Sequence, residues 1–410
     1  MALNYLWIAF ILLASIIAAL RFFFTGDLEP LQAVVNSTFS SAKNGFEISL
    51  YLTGILSLWL GLMKVGEAGG AVNALSRLIA PLLRRLFPSV PRGHSAYGSM
   101  TMNIAANMLG LDNAATPMGL RAMRELQSLN KEESRASDAQ IMFLVLNTSG
   151  LTLIPVSIMA YRQQCGAANP ADVFLPLLIT TFCSTIVGLV ATAIAQRIRL
   201  WDKVVLAYIL SLTAVIGALT FFLGQTSKET IEMVSIAFSS LTLLSIICAF
   251  LIGAIRKKIN VYDTFIEGAK EGFQVAIGIV PFLIAILVGI GMLRASGAID
   301  FLSDGLRWLV ALCGADTRWV DAIPTALMRP LSGSGARGMM IETMQNFGAD
   351  SFAGRLACIL QGATDTTFYV LAVYFGSVGI KDTRNAVTLG LLADFAGIVA
   401  AILVAYLFFG

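Results

Sequence analysis

Three side-chain amides, Asn103, Asn107 and Asn113, crowd the stretch "MTMNIAANMLGLDNAATPMG" (100–119), which then runs into Thr116 and Pro117. Amides both donate and accept, which suits neutral polar and zwitterionic ligands. Asn103 and Asn107, four apart, share one face of a helix, and Thr116–Pro117 is placed to end or kink it by removing a donor. A second run, "TALMRPLSGSGARGMM" (325–340), sets Arg329, Ser332, Ser334 and Arg337 around Gly333 and Gly335. Glycines there let backbone amides approach a ligand closely. Two later patches answer these runs. "LVLNTSGLTLIP" (144–155) carries Asn147, Thr148 and Ser149, and "ILQGATDTTFYV" (359–370) carries Gln361, Thr364, Asp365, Thr366 and Thr367. Asp365 is the expected partner of Arg329. The four runs together predict a substrate-binding polar centre. The competing explanation is interhelical glue, since Asn often bonds across membrane helices, and for Arg337 a stem that snorkels to water.

Catalytic chemistry finds little to work with. The one His, His94 in "VPRGHSAYG", makes a His-dependent triad or a His-rich metal cage unexpected. Ser334 lacks the G-x-S-x-G elbow of a nucleophile. "GSGARG" matches G-x-G-x-x-G in form, but no strand precedes it. Five scattered Cys show neither disulfide nor zinc spacing. Asp112, Asp365 and Asp394 are candidate intramembrane acids, yet a hydrolase also needs water at that depth. No enzyme activity, cofactor, bound metal or nucleic-acid partner is expected.

The elements that must position these residues are membrane helices. Charged residues make up 13% of the 410, about half the share of a soluble domain. Residues 1–20, 139–161, 173–196, 204–227, 233–255 and 272–293 hold no Asp, Glu, Lys or Arg. Each covers a hydrocarbon core that needs about 20 helical residues. Runs at 48–63, 366–380 and 385–409 read as helices too, for about nine spans. Sorting the loops by Lys/Arg bias places eighteen basic residues on the cytoplasmic side and six opposite. That assignment requires the segments near 93–120 and 323–347 each to enter and leave on one side, as re-entrant or broken helices do.

The chain also repeats. "AKNGFEISLYL…GGAVNALS" (42–76) aligns without a gap on "AKEGFQVAIGI…SGAIDFLS" (269–303), an offset of 227. The charge bias runs the first copy inward and the second outward. The expectation is therefore an all-α polytopic membrane protein of two inverted-topology repeats, each with a polar hairpin and several spans. Residues 1–200 form the first repeat, 201–260 a linking helix pair and 261–410 the second repeat. Inverted repeats with interrupted helices are a recurring transporter design, with the site near the midplane.

The quoted motifs resemble known families. "WLGLMKVGEAGG", "MNIAANMLGLDNAATPMGLRAMRELQSLN" and "NTSGLTLIP" are similar to spore maturation protein A. "TFIEGAKEGFQVA", "MRPLSGSGARG" and "GATDTTFYVLAVYFGSVGIKDTR" are similar to spore maturation protein B. Both belong to the nucleoside-recognition, or gate, family, related to parts of concentrative nucleoside transporters and ferrous iron permeases. The resemblance covers nearly the whole chain and implies inverted halves whose re-entrant hairpins meet at the membrane centre. The expected protein is a bacterial inner-membrane transporter of a small polar or zwitterionic solute, nucleoside-like among the options, coupled to Na+ or H+. The lipid bilayer, the solute and the ion are its expected partners, and self-association is compatible with the sequence. The alternatives are a non-transporting scaffold for envelope maturation and a lipid or carrier-lipid flippase using the basic rim of Arg77, Arg84 and Arg85. A metal-ion permease is the weakest reading, for want of a His or acidic cage.

Overall fold

Helices form where the sequence holds its uncharged runs. The computed structural model describes residues 2–109, 112–225, 228–312, 314 and 316–410, and no strand occurs among them. Helix α1 (Ala2–Thr25) and the long α2 (Glu29–Gly69) lead into an amphipathic α3 (Ala71–Leu86). A hairpin follows, α4 (Ala96–Met108) and α5 (Asp112–Gln127). Next come a broken crossing, α6 (Asp138–Thr148) and α7 (Val156–Gln164), and an unbroken one, α8 (Phe174–Ala195). Helices α9 (Lys203–Gly224) and α10 (Lys228–Arg256) reverse the chain. The series then recurs: long α11 (Val261–Ala295), amphipathic α12 (Ala298–Leu312), and the hairpin α13 (Ile323–Met328) and α14 (Gly333–Phe347). The broken crossing α15 (Phe352–Gly362) and α16 (Thr367–Gly376) and the unbroken α17 (Ala386–Phe409) complete it. Among the described residues eight helices are long and apolar enough to cross a membrane, α15–α16 taken as one. The protein is an all-α polytopic membrane protein.

The two series are inverted copies. Gly70 and Gly297, equivalent in the repeat, both take left-handed φ (+98° and +83°), where a side chain would be strained. Each turns the chain from a long apolar helix into an amphipathic one. The long helices, α2 and α11, pack against each other antiparallel. Gly45 sits against Ile284, Gly272 against Leu56 and Ser57, and Gly61 against Phe265. Gly45 and Gly272 are equivalent positions, as are Ser57 and Ile284, so one contact is the other with the copies exchanged. Such reciprocity is what a pseudo-two-fold axis across the helices produces. Helices α8 and α17 cross in the same sense: Gly188 abuts Ala393 and Gly397 abuts Ser184.

Loops predicted to share a side meet one another. Arg135 pairs with Asp382, Arg384 with Asp138 and Arg85 with Asp202, while Lys257 donates to the carbonyl of Ala68 at 3.0 Å. On the other face Arg162, fully buried, pairs with Asp172 and Asp350, and Arg355 with both of the same carboxylates. Burial raises the Asp172 carboxyl above its ordinary value, and the two guanidiniums oppose that only in part. This cluster joins the first copy to the second. Beneath it an apolar cluster also draws on both, with Leu52, Tyr161 and Leu177 against Leu283, Met340 and Leu356.

Element limits differ from the sequence expectation in four places. The run at 139–161 is not one helix but the broken pair α6 and α7, and the described residues hold eight spans where about nine were expected. Helix α2 begins at Glu29, well before the apolar run at 48–63, and its 41 residues make about 60 Å of helix, twice a hydrocarbon core. The apolar run at 366–380 is the second half of a broken crossing that starts at Phe352. Thr116–Pro117 does not end a helix: both lie inside α5, which starts at Asp112, while α4 ends at Met108. Pro117 is tolerated because it falls in the second turn of α5, where its missing donor is one lost bond.

Candidate functional site

Each copy unwinds once inside the bundle, at 149–155 and at 363–366. Unwound backbone at this depth must find partners within the protein. The two breaks supply each other: Asp365 N–H donates to the Thr148 carbonyl at 2.6 Å. Each hairpin serves its own break as well. Leu153 N–H donates to Met108 O at 2.7 Å, and Phe368 N–H to Pro330 O at 3.1 Å. The hairpin tips and broken helices therefore form one hydrogen-bonded centre.

Arg329 is held at that centre by backbone more than by charge. Its Nε donates to the Thr364 carbonyl at 2.8 Å, a second guanidinium nitrogen reaches the same oxygen, and Thr366 Oγ1 lies at 3.5 Å. Asp365, the expected partner, stands 3.7 Å away and is half exposed. Ser332 Oγ accepts from Gly335 N–H at 3.0 Å and so caps the start of α14. Gly333 presses against the second break, since a Cβ there would stand 2.8 Å from Thr366 Oγ1.

The amides form a chain on the other side. Asn107 Nδ2 donates to Asn147 Oδ1 at 2.8 Å, and Tyr374 OH reaches the same oxygen at 3.4 Å. Asn103, fully buried, donates to the Ala115 carbonyl at 2.8 Å and so pins α4 to α5. Asn103 is thus the glue that one reading of the sequence allowed.

A cavity of about 820 Å³ lies between these parts, within the size range of small-molecule sites. Of the residues singled out in the sequence, Asn107, Thr116, Asn147, Arg329, Ser332, Ser334, Gln361, Thr364, Asp365 and Thr366 line it. Asn103, Thr148, Ser149 and Thr367 are buried away from its wall. The side chain of Asn113 lies outside the described residues. Leu56, Leu60, Val275 and Ile279 of the two long helices supply an apolar side.

Sequence reasoning left Tyr161, Tyr369 and Tyr374 out of the centre, and Arg337 undecided. Tyr374 sits in an apolar run, and Tyr161 and Tyr369 stand at the edges of theirs, where neither repeat nor spacing singles them out. Arg337 lies over the Tyr161 ring at 5.6 Å, and no ion pair to it occurs among the described residues. One turn into α14, it adds its charge to the positive end of that helix. Gln361 leans on Gly333 O at 3.4 Å, while its Oε1 is buried without a partner. Two guanidiniums, a helix start and one carboxylate facing a cavity can hold a small ligand that carries both signs of charge.

Comparison with known proteins agrees with this two-copy layout. A family profile described as Gate, nucleoside recognition, matches twice, at residues 49–164 and 276–381. The two matches begin 227 residues apart, the offset of the repeat. The chain is 47% identical to spore maturation protein B of Bacillus subtilis (strain 168) over 173 residues, 42% of this chain and 95% of that protein. It is 37% identical to spore maturation protein A of the same organism over 183 residues, 45% of this chain and 90% of that protein.

Proposed function

Since the chain belongs to the Gate (nucleoside recognition) family, we propose that it is a bacterial inner-membrane transporter of a small zwitterionic or polar solute, coupled to an ion gradient. The carrying observation is the cavity itself, built from the breaks and hairpins of both copies. Half-helix starts aimed at a midplane cavity are how such folds meet anionic groups. Here the start of α14, with Ser334 and Arg337, would take the solute's negative group. Asp365, exposed toward the cavity, would take a positive one. Asn107 and Asn147 would present amides to its neutral polar edge. An uncompensated guanidinium within a bundle is a functional feature by default. The family name points to a nucleoside, and the cationic wall favours one that also carries an acidic group. In alternating access the inverted copies would rock about the crossing of α2 and α11.

The test is a thermal-shift screen of the purified protein against free amino acids, nucleosides and nucleoside monophosphates, with phosphoethanolamine as a lipid-headgroup probe. A stabilising solute is then followed into proteoliposomes. Arg337→Gln should abolish the shift while leaving the ligand-free melting temperature unchanged. Stabilisation by the headgroup alone would replace the solute reading with a flippase, and stabilisation by none would favour a scaffold.

A further inference from the structure

Three residues that the sequence marked as polar, Thr148, Ser149 and Thr367, lie off the cavity wall, and Thr367 bonds an acid. Asp394 lies in the middle of α17, 2% exposed. Thr367 Oγ1 donates to its Oδ2 at 2.7 Å, while Oδ1 is buried with no hydrogen-bond partner. Ser149 Oγ is likewise buried and unpartnered. The small residues Gly390, Ala393 and Gly397 on the same face of α17 bring the breaks close. A Cβ at Gly390 would stand 3.7 Å from both Thr148 Oγ1 and Thr367 Oγ1. One at Gly397 would stand 3.0 Å from the Thr364 side chain and 3.4 Å from that of Ser184. One at Gly188 would touch Ala393 at 3.1 Å and Ser149 at 3.5 Å. The Thr367 and Thr364 hydroxyls act on this carboxylate directly. Thr148 and Ser184 donate to the Val145 and Ala393 carbonyls at 3.0 and 2.9 Å, which leaves their oxygens able to accept a cation, and the C-terminal ends of α6 and α15 add their negative dipoles.

We propose that Asp394, with the hydroxyls of Thr148, Ser149, Ser184, Thr364 and Thr367, binds a sodium ion where the two broken helices meet α17. An all-oxygen nest is the environment of a hard cation. One carboxylate balances one positive charge, whereas divalent sites usually gather more. A proton would occupy one carboxylate oxygen and leave the buried, unpartnered Ser149 hydroxyl without a task. Unwound backbone and half-helix C-termini are the usual donors to coupling sodium ions. Thr364 belongs to both places: its hydroxyl flanks Asp394, and its carbonyl holds Arg329 at the cavity wall. Asp365 from that break and Arg329 from the hairpin are the charged side chains that act on Asp394. Sodium binding would set the second break, and with it the guanidinium that faces the solute.

The inference deepens the ion-coupled reading and rests on it only for the use made of the ion, since sodium binding is read with no solute present. Melting temperature is measured in detergent across a series of NaCl against choline chloride at constant total salt and fixed pH. The expected result is a saturable rise with sodium that choline and potassium do not reproduce. Asp394→Asn, nearly isosteric, should lose the sodium dependence. Thr367→Val and Ser149→Ala should move its midpoint upward by about 10-fold, the loss typical of removing one supporting group at a metal. Glu133→Gln, in the exposed loop before α6, should leave it in place. A wild-type melting temperature indifferent to sodium, or one that follows pH alone, overturns the proposal, as does an Asp394→Asn protein that keeps the full sodium response. If sodium binds but no solute is found, the cavity reading fails alone.

Discussion

The side-chain amide of Asn107 donates to Oδ1 of Asn147 at 2.8 Å, joining the first hairpin to the break of the crossing that follows it. Asn147 spends its own amide on the Phe143 carbonyl at 2.8 Å, so its position is fixed from both ends. Asn147→Leu strands the Asn107 donor and should cost about 1–3 kcal/mol, the penalty of an unsatisfied polar group. Asn107→Ala leaves Asn147 with Tyr374 and should cost about 1 kcal/mol. A double-mutant cycle on denaturant midpoints in detergent should give a coupling above about 0.5 kcal/mol, as for residues in one network. Strict additivity would mean that the hairpin and the break are independent.

Gly119 shows how tightly the second copy fits the first hairpin. A Cβ at this position would run into the Tyr374 hydroxyl and stand 2.9 Å from Asn103 Nδ2. Gly119→Ala should therefore destabilise by about 1–3 kcal/mol through overpacking. Tyr374 Cζ would also stand 2.5 Å from that Cβ, so Tyr374→Leu, which removes both struck atoms, should restore part of the loss. If Tyr374→Leu instead adds its own penalty in full, the clash is not the cause.

Much of this arrangement is legible in the sequence because membrane helices announce themselves. Uncharged runs locate the spans, the 227-residue offset locates the repeat, and Lys/Arg bias sorts the loops whose ion pairs are then found on one face. The four polar runs converge because backbone cannot unwind in lipid without partners, and residues near a break are polar for that reason. Roles within the runs were not legible. Asn103 and Asn107 share a helix, yet one pins the hairpin and the other reaches the break. Rotation about the helix axis decides between them, and nothing local in the sequence fixes it. Asp394 stood out only as a single acid in an apolar run; its meaning comes from Thr148, Ser149 and Thr367, which lie far off in the chain or in another helix.

The crossing of α2 and α11 gives a test of the near-symmetry itself. Gly45 and Gly272 are equivalent, but their surroundings are not equally yielding. A Cβ on Gly45 meets the Ile284 side chain and Cα at 3.1 Å, whereas one on Gly272 meets backbone, Leu56 O at 2.6 Å and Ser57 Cα at 2.7 Å. Backbone cannot swing aside. Gly272→Ala should lower the melting temperature more than Gly45→Ala, with a difference on the order of 1 kcal/mol from overpacking. Equal effects would show that the two helices separate freely at both points.

Inversion also fixes which positions face the same compartment. Arg199 lies next to Asp202, which pairs with Arg85 at 3.5 Å, and Lys257 is bound to the carbonyl of Ala68, so 199 and 257 belong to one face. Asp27 follows α1, whose Arg21 reaches the Ser296 carbonyl at 3.4 Å on the opposite face. The buried Arg162 cluster belongs to that face as well, with Arg162 donating to the carbonyl of Asn169 in its loop at 3.4 Å. Single cysteines placed at 27, 169, 199 and 257, in a chain with its native cysteines replaced, should separate into two pairs toward a membrane-impermeant maleimide. Positions 27 and 169 should react in intact cells, and 199 and 257 only after permeabilisation, because the basic loops lie inside. Reaction of 27 and 199 from the same side would break the alternation on which the inverted copies, and the cavity between them, depend.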